Sequence, residues 1–363
     1  MRWSGQELDA EQAAGGALAL PGMAKVRGFL RTVTTPEFAG IRFHEVTART
    51  VLNPVPAGSA MPFRHTVNPY RGCSHACVYC YARGTHSWLE LDTGVGFDRE
   101  VVVKVNAGEA LRRDLARPSW AREHVALGTN TDPYQRAEGR YRLMPGIIEA
   151  LTEARTPFSI LTKGTLLRRD VALLQAAAER VPIGLGVSLA IYDDALQESL
   201  EPGTPGVAAR LAMVRHLRAS GLPCGVMLAP VLPWLTDSVA ALDDALAQLA
   251  DAGATGVTVL PLHLRPGAKE WFQQWLQRER PDLVRGYAQL YGRGSYVGQE
   301  YRRFLADRVA PLLRRHGFAP GSAGVQVRGM PGDPDGEFPA GSMPEGTGAP
   351  VVAEPRDEQP ALF

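Results

Sequence analysis

NPYRGCSHACVYCYAR, residues 68–83, carries three of the four cysteines of this 363-residue chain: Cys73, Cys77 and Cys80, spaced C-x3-C-x2-C. The opening MRWSGQELDAEQAAGGALAL has early acidic residues and no long apolar core. It reads as neither a signal peptide nor a membrane anchor, and the chain is expected in the cytoplasm. Thiols stay reduced there, so clustered cysteines point to metal binding or catalysis rather than to disulfides.

Working outward from this stretch, residues 65–70 read as a strand that delivers the cysteines to a loop. Apolar runs of strand length recur at 125–128, 158–162, 183–189, 224–228 and 257–262, with helical segments between them. Strands nearly continuous in apolar residues and separated by helices belong to a parallel sheet buried on both faces. Val239, Leu242, Leu246 and Leu249 share one helical face, with Ser238 or Asp237 placed to cap the helix and Gly253 to end it. Six such strands predict an α/β fold, a partial (β/α)6 TIM-like barrel or an open sheet. Either one sets functional residues in the loops after the carboxyl ends of strands. Residues 39–265 form the expected core domain, with 40–54 as an extra strand or extended piece, and 266–318 form a C-terminal helical extension. The Ala/Gly-rich start, 1–38, and the Gly/Pro-dense end, 319–363, are expected to be disordered tails.

Hydrophobic residues make up 45% of the chain and charged residues 21%, enough apolar material for a folded core. A net charge of +1 argues against binding nucleic acid by bulk electrostatics. Four of the 39 basic residues are lysines, and arginine pairs stand at 112/113, 168/169, 302/303 and 314/315. Such pairs on helices are expected to be solvated faces before they are phosphate contacts.

Short cysteine spacing suits a loop that wraps several corners of an iron–sulfur cluster, and three ligands leave one corner open for chemistry. A zinc site using His75 as an added ligand is a rival, but a second half-site of the zinc-ribbon kind is missing. Cys224 as a fourth ligand would make an electron-transfer cluster, whereas a small buried cysteine in a strand is ordinary packing.

C-x3-C-x-aromatic-C, with Tyr79 before the last cysteine, resembles the signature of the radical S-adenosylmethionine (radical SAM) superfamily. TDPYQRAE (131–138) and LTKG (161–164), taken with residues 68–83, resemble its spore photoproduct lyase-like branch, also described as DNA repair photolyase-like. The resemblance spans about 40–265. It implies a [4Fe–4S] cluster on Cys73, Cys77 and Cys80, whose free iron binds S-adenosylmethionine, and reductive cleavage to a 5'-deoxyadenosyl radical that abstracts hydrogen from a substrate. It also implies a low-potential electron donor such as flavodoxin or ferredoxin. Cofactor contacts are expected from Tyr79, from Thr129, Asn130 and Asp132 in the turn GTNTD, and from Lys163 and Ser188 at later strand ends. The substrate stays open, with nucleic acid among the partners considered; lesion repair and a non-catalytic cluster or zinc module on nucleic acid are the alternatives. The branch's additional cysteine, the hydrogen donor of lesion repair, has no counterpart between Tyr81 and Pro223, which leaves Cys224 as the thiol to place.

Overall fold

The computed structural model describes residues 28–56, 61 and 63–318; residues 1–27 of the tail expected over 1–38, and the tail expected over 319–363, lie outside the described residues. The strands are β1 (Phe29–Val33), β2 (Arg42–Val46), β3 (Leu52–Pro54), β4 (His65–Val67), β5 (Tyr70–Arg71), β6 (Glu100–Lys104), β7 (Val125–Leu127), β8 (Phe158–Thr162), β9 (Ile183–Ser188), β10 (Gly225–Val231) and β11 (Gly256–Pro261). The helices are α1 (Val95–Arg99), α2 (Ala107–Leu115), α3 (Ala137–Tyr141), α4 (Leu143–Glu153), α5 (Val171–Ala178), α6 (Asp194–Leu200), α7 (Val207–Ala219), α8 (Val239–Asp251), α9 (Ala268–Glu279), α10 (Val284–Tyr291) and α11 (Gln299–Arg315).

The main sheet runs β11-β10-β9-β8-β7-β4-β3. Its six strands β4 and β7 to β11 pair parallel, as expected, and β3 closes one edge antiparallel. The result is a partial barrel whose strands, buried almost throughout, read as apolar runs because helices cover their outer faces. Ser238 caps α8 by accepting from Ala241 N at 3.1 Å, and α8 buries Leu242, Leu246 and Leu249. Val239, assigned to that buried face from the sequence, is half exposed because it occupies the first turn.

The sequence reading needs correction in three places. The chain leaves the main sheet at Val67, and Tyr70–Arg71 pair instead with β6, so the strand foreseen over 65–70 is two strands in two sheets. That second sheet, β1-β2-β6-β5, contains β6, a strand of sequence EVVVK that was not foreseen. Finally, part of the span expected to be a disordered tail, 1–38, is a strand. Phe29 to Val33 pair antiparallel with β2, and Phe29 is buried against Val46 and Val102, which supplies the apolar contact that a disordered tail lacks.

The helical extension covers the carboxyl ends of β9 to β11. Phe272, Trp275, Tyr287 and Tyr291 pack with Cys77, Val78, Tyr79, Leu232 and Leu262 in one apolar cluster, and Tyr291 Oη donates to Leu262 O at 2.7 Å. α11 lies outside, its Leu305, Val309 and Leu312 joining the main core.

The opposite end of the barrel holds a buried titratable group. His124, just before β7, shares a hydrogen bond with Ser159 Oγ at 2.9 Å, and burial pulls its imidazole down to about 4. In the unfolded chain it protonates near its ordinary value of about 6.5. The unfolded state therefore binds the extra proton between these values, and stability falls as pH drops from about 6.5 to about 4, by up to about 1.4 kcal/mol per pH unit from this residue. Denaturant titrations at pH 7, 5.5 and 4.5 are expected to give a shallower pH slope for His124→Asn than for the unaltered chain.

Candidate functional site

The cysteine loop leaves β5 through Gly72, at φ +83°, where a Cβ would meet Glu100 O at 2.7 Å. Its backbone is pinned from several sides. Cys73 N donates to Phe97 O at 3.0 Å, Val78 N to Leu200 O at 2.9 Å, and Gly203 N to His75 O at 3.1 Å. Gly203 approaches so closely that a Cβ there would stand 2.0 Å from Ser74 O. Any side chain at 203 would push the loop away.

Two charged groups lock the loop further. Arg83 is wholly buried: Nε and Nη2 donate to Cys77 O at 3.1 and 2.9 Å, Nη1 to Gly94 O at 2.7 Å, and Nη2 pairs with Asp98 at 2.8 Å. Its guanidinium lies over Phe97 and Trp271, both about 5 Å from ring centres. Asp98 is the partner that no reading of the sequence supplied. On the other side, His75 Nδ1 pairs with Asp132 Oδ2 at 3.3 Å. Burial opposes the charge on His75, but Asp132 and Cys73 raise its imidazole to about 10. Burial likewise opposes the Asp132 carboxylate, and His75 with Thr162 and the Lys163 amide holds it below its ordinary value.

The turn after β7 therefore carries the loop. Asp132 accepts from Thr162 Oγ1 at 2.5 Å, Lys163 N at 2.6 Å and Tyr134 N at 2.9 Å. Gln135 accepts from Ser74 N at 2.9 Å and donates to Gly72 O at 3.1 Å. Gln135 lies inside the TDPYQRAE motif, so the signal was present, but its partner 61 positions away was not legible. Tyr134, in the same TDPYQRAE motif, turns into the core and donates to Asp170 Oδ2 at 3.0 Å. Asn68 Oδ1 accepts from Asn130 N at 3.2 Å, and Thr129 O accepts from Tyr81 Oη. This fixes the Thr129–Asn130 backbone beside the cysteines.

A second group gathers at the ends of β8 and β9. Glu201, wholly buried, pairs with Lys163 Nζ through Oε1 at 2.8 Å and with Arg210 Nη2 through Oε2 at 2.8 Å, and accepts from Tyr79 Oη. Lys163 also donates to Ser188 Oγ at 2.9 Å, and Arg210 Nη1 to Ser188 O at 3.1 Å. Burial pushes the Glu201 carboxyl up, but Lys163 and Arg210 outweigh it and hold it at about 2. The structure thus brings Tyr79, Lys163 and Ser188 together and adds Glu201 and Arg210, which no motif announced.

Cys73 and Cys77 are buried and Cys80 partly so, and all three are free. Burial pushes the Cys77 thiol far up and the Cys80 thiol up to about 11, so thiolates here need nearby positive charge. Among the described residues no three His, Cys, Asp or Glu side chains converge on one ion. Cys224 lies elsewhere. It precedes β10, three residues and roughly 10 Å upstream of Met227, the register partner of Ser188, and it packs in the main core. Burial pushes its thiol up to about 12. It belongs to a different apolar cluster from Cys77.

The Radical SAM superfamily model matches residues 67–246. An uncharacterised protein of Mycobacterium tuberculosis is 55% identical over 319 residues, covering 88% of this chain and 94% of that protein. An uncharacterised protein of Methanocaldococcus jannaschii is 26% identical over 197 residues, covering 54% of this chain and 70% of its own. Among solved structures, spore photoproduct lyase complexed with dinucleoside spore photoproduct superposes with a TM-score of 0.56 at 18% identity, over 76% of this chain and 79% of that one. A spore photoproduct lyase mutant with bound AdoMet and the same lesion gives 0.52 at 17% identity, over 73% and 76%. With its cysteine loop seated after the first strand of a partial barrel, the chain belongs to the radical SAM superfamily.

Proposed function

We propose that the protein is a radical SAM enzyme that holds a [4Fe–4S] cluster on Cys73, Cys77 and Cys80 and abstracts hydrogen from a substrate still to be identified. The observation that carries this reading is a loop of three free thiols, two buried and one partly so, pinned beside strand ends rich in polar groups. Cys73, Cys77 and Cys80 would hold the cluster, which when bound would supply the one-electron reduction that S-adenosylmethionine cleavage requires.

The chain's own residues divide the remaining work. Arg83, His75 and Lys163 bring positive charge to a site where thiolates accumulate negative charge. Tyr79, Asp132 and Lys163, expected from the sequence as direct cofactor contacts, have polar atoms engaged within the protein, and we assign them positioning roles. Asn130, whose side chain takes no partner among the described residues, is the proposed contact to the methionyl end of the cofactor, with the Thr129 turn beside it. Ser188 is the proposed contact to the ribose. The packed helices α9 and α10 exclude water from the strand ends.

Two alternatives lose support. The likeness to spore photoproduct lyase is one of fold, and Cys224 precedes β10 and is buried in the main core, so lesion repair is not extended to this chain. Arg112, Arg169 and Arg315 of the arginine pairs are each engaged by carboxylates, Arg112 by Glu149 and Glu153, in keeping with structural faces rather than a nucleic-acid groove. No helix among the described residues is long and apolar enough to cross a membrane. The reductant is proposed by chemistry alone: a low-potential protein of the flavodoxin or ferredoxin kind.

After anaerobic reconstitution with iron and sulfide, the reduced protein is expected to form 5'-deoxyadenosine from S-adenosylmethionine, and Cys77→Ala to form none; an intact reduced cluster without cleavage would overturn the proposal. Gly203→Ala is expected to fold, by circular dichroism, yet to retain less than about half the iron, because the added methyl displaces Ser74 and His75. Glu201→Gln leaves Lys163 and Arg210 buried with a weaker counter-charge, and chemical denaturation should show a loss of about 3 kcal/mol.

A further inference from the structure

Away from the cysteine loop, the structure holds a cavity of about 290 Å3 at the carboxyl ends of β9 and β10. It lies on the helix side of the sheet. Met227 is the register partner of Ser188, whose hydroxyl takes Lys163, so Leu228, the next residue along β10, faces the other way. There it lines the cavity together with Leu242 and Ala245 of α8. These three belong to the main core, whereas Ala190, Leu196 and Leu235, which also line the cavity, pack in the cluster that contains Cys77 and Tyr79. The cavity is a seam between two apolar clusters that, in a close-packed interior, ought to have been filled.

Its polar liners are Tyr192, Asp193, Thr236 and Asp244. Thr236 Oγ1 is engaged, accepting from Leu232 N at 2.8 Å. Asp193 caps α6 by accepting from Leu196 N at 2.7 Å, and Asp244 accepts from Gln248 Nε2 at 2.8 Å through Oδ2. Both carboxylates are exposed, so they mark the mouth, and neither meets a cation among the described residues. No lysine, arginine or histidine lines the cavity, and its charges are all negative.

Tyr192 supplies the second observation. Its hydroxyl is buried and has no hydrogen-bond partner among the described residues. A phenol closed off from water ordinarily has one, because solvent no longer makes the bond for it. Burial pushes this phenol well above its ordinary range, Arg210 opposes the shift, and the Asp244 charge adds to it. Asp244 thus acts on Tyr192 from the wall of the same cavity.

We infer that this cavity binds a small organic cation, with its apolar body in the seam, its ammonium group at the Asp193 and Asp244 mouth, and an oxygen that accepts from the Tyr192 hydroxyl. The site is separate from the cysteine loop, and the inference does not rest on the reading given to that loop.

Tyramine has these three features and serves as the probe. The full chain, kept reduced and free of S-adenosylmethionine, is titrated with tyramine to about 20 mM near neutral pH and at low salt, and binding is followed by calorimetry and by the shift in melting temperature. The unaltered chain is expected to bind tyramine. It should bind para-ethylphenol, which lacks the ammonium, and phenethylamine, which lacks the hydroxyl, at least about threefold more weakly. Asp244→Asn should weaken tyramine about fivefold and leave para-ethylphenol unchanged. Tyr192→Phe should weaken tyramine about fivefold and leave phenethylamine unchanged. Without ligand, Tyr192→Phe should melt no lower than the unaltered chain, because the hydroxyl it removes has no partner to lose. That comparison also certifies its fold. Absence of saturable tyramine binding, equal affinity for tyramine and para-ethylphenol, or affinity that both variants leave unchanged would overturn the inference. So would a lower melting temperature for Tyr192→Phe, which would show the hydroxyl to be bonded already within the protein.

Discussion

One buried carboxylate ties the site to the barrel. Glu201 lies at the end of α6, yet it takes Lys163 from the end of β8, Arg210 from α7 and Tyr79 from within the cysteine loop. Each of these groups alone would be costly to bury, and together they satisfy one another. The consequence is geometric. The loop, two strand ends and two helices cannot move independently without leaving a charge unpaired in the core. The exposed pairs of the helix surfaces, such as Arg215 with Asp251, have no comparable hold, because water competes for them.

On the proposed reading, the rest of the site has to keep thiols buried while making thiolates accessible to a cluster. Burial alone disfavours the charged form of Cys77 and Cys80. Arg83 beneath Cys80, Lys163 near Cys77 and a protonated His75 beside Cys73 bring positive charge to each cysteine in turn. The same groups are structural ties: Arg83 holds the Cys77 carbonyl and His75 joins the loop to the Asp132 turn. Electrostatic tuning and loop shape thus depend on shared residues, and the glycines at 72 and 203 permit the close backbone approach that both require.

How much of this the sequence disclosed depends on the range of each interaction. The parallel strands were legible because a strand buried on both faces must be apolar along its length, and 158–162 was read to the residue. β5 was not legible, since two residues carry no periodicity, and β1 was hidden by an Ala/Gly-rich neighbourhood. The spacing of the cysteines was legible, and the structure places all three free thiols in one pinned loop. Glu201 was not, because its meaning comes from Tyr79, 122 positions away, and nothing in the run ESLEP marks a buried counter-ion. Asp132 was found for its place in a strand-end turn, but its work is to accept from Thr162 and the Lys163 amide, which only the packed structure discloses.

The central claim is that three cysteines hold a cluster whose fourth iron is left for a cofactor. Electron paramagnetic resonance of the reduced, reconstituted protein tests it most directly, with and without S-adenosylmethionine labelled with 13C at its carboxylate and 15N at its amino group. The account predicts a spectrum that shifts on adding the cofactor and acquires hyperfine coupling to both labels. A reduced cluster whose spectrum is indifferent to S-adenosylmethionine, with neither coupling, would contradict it.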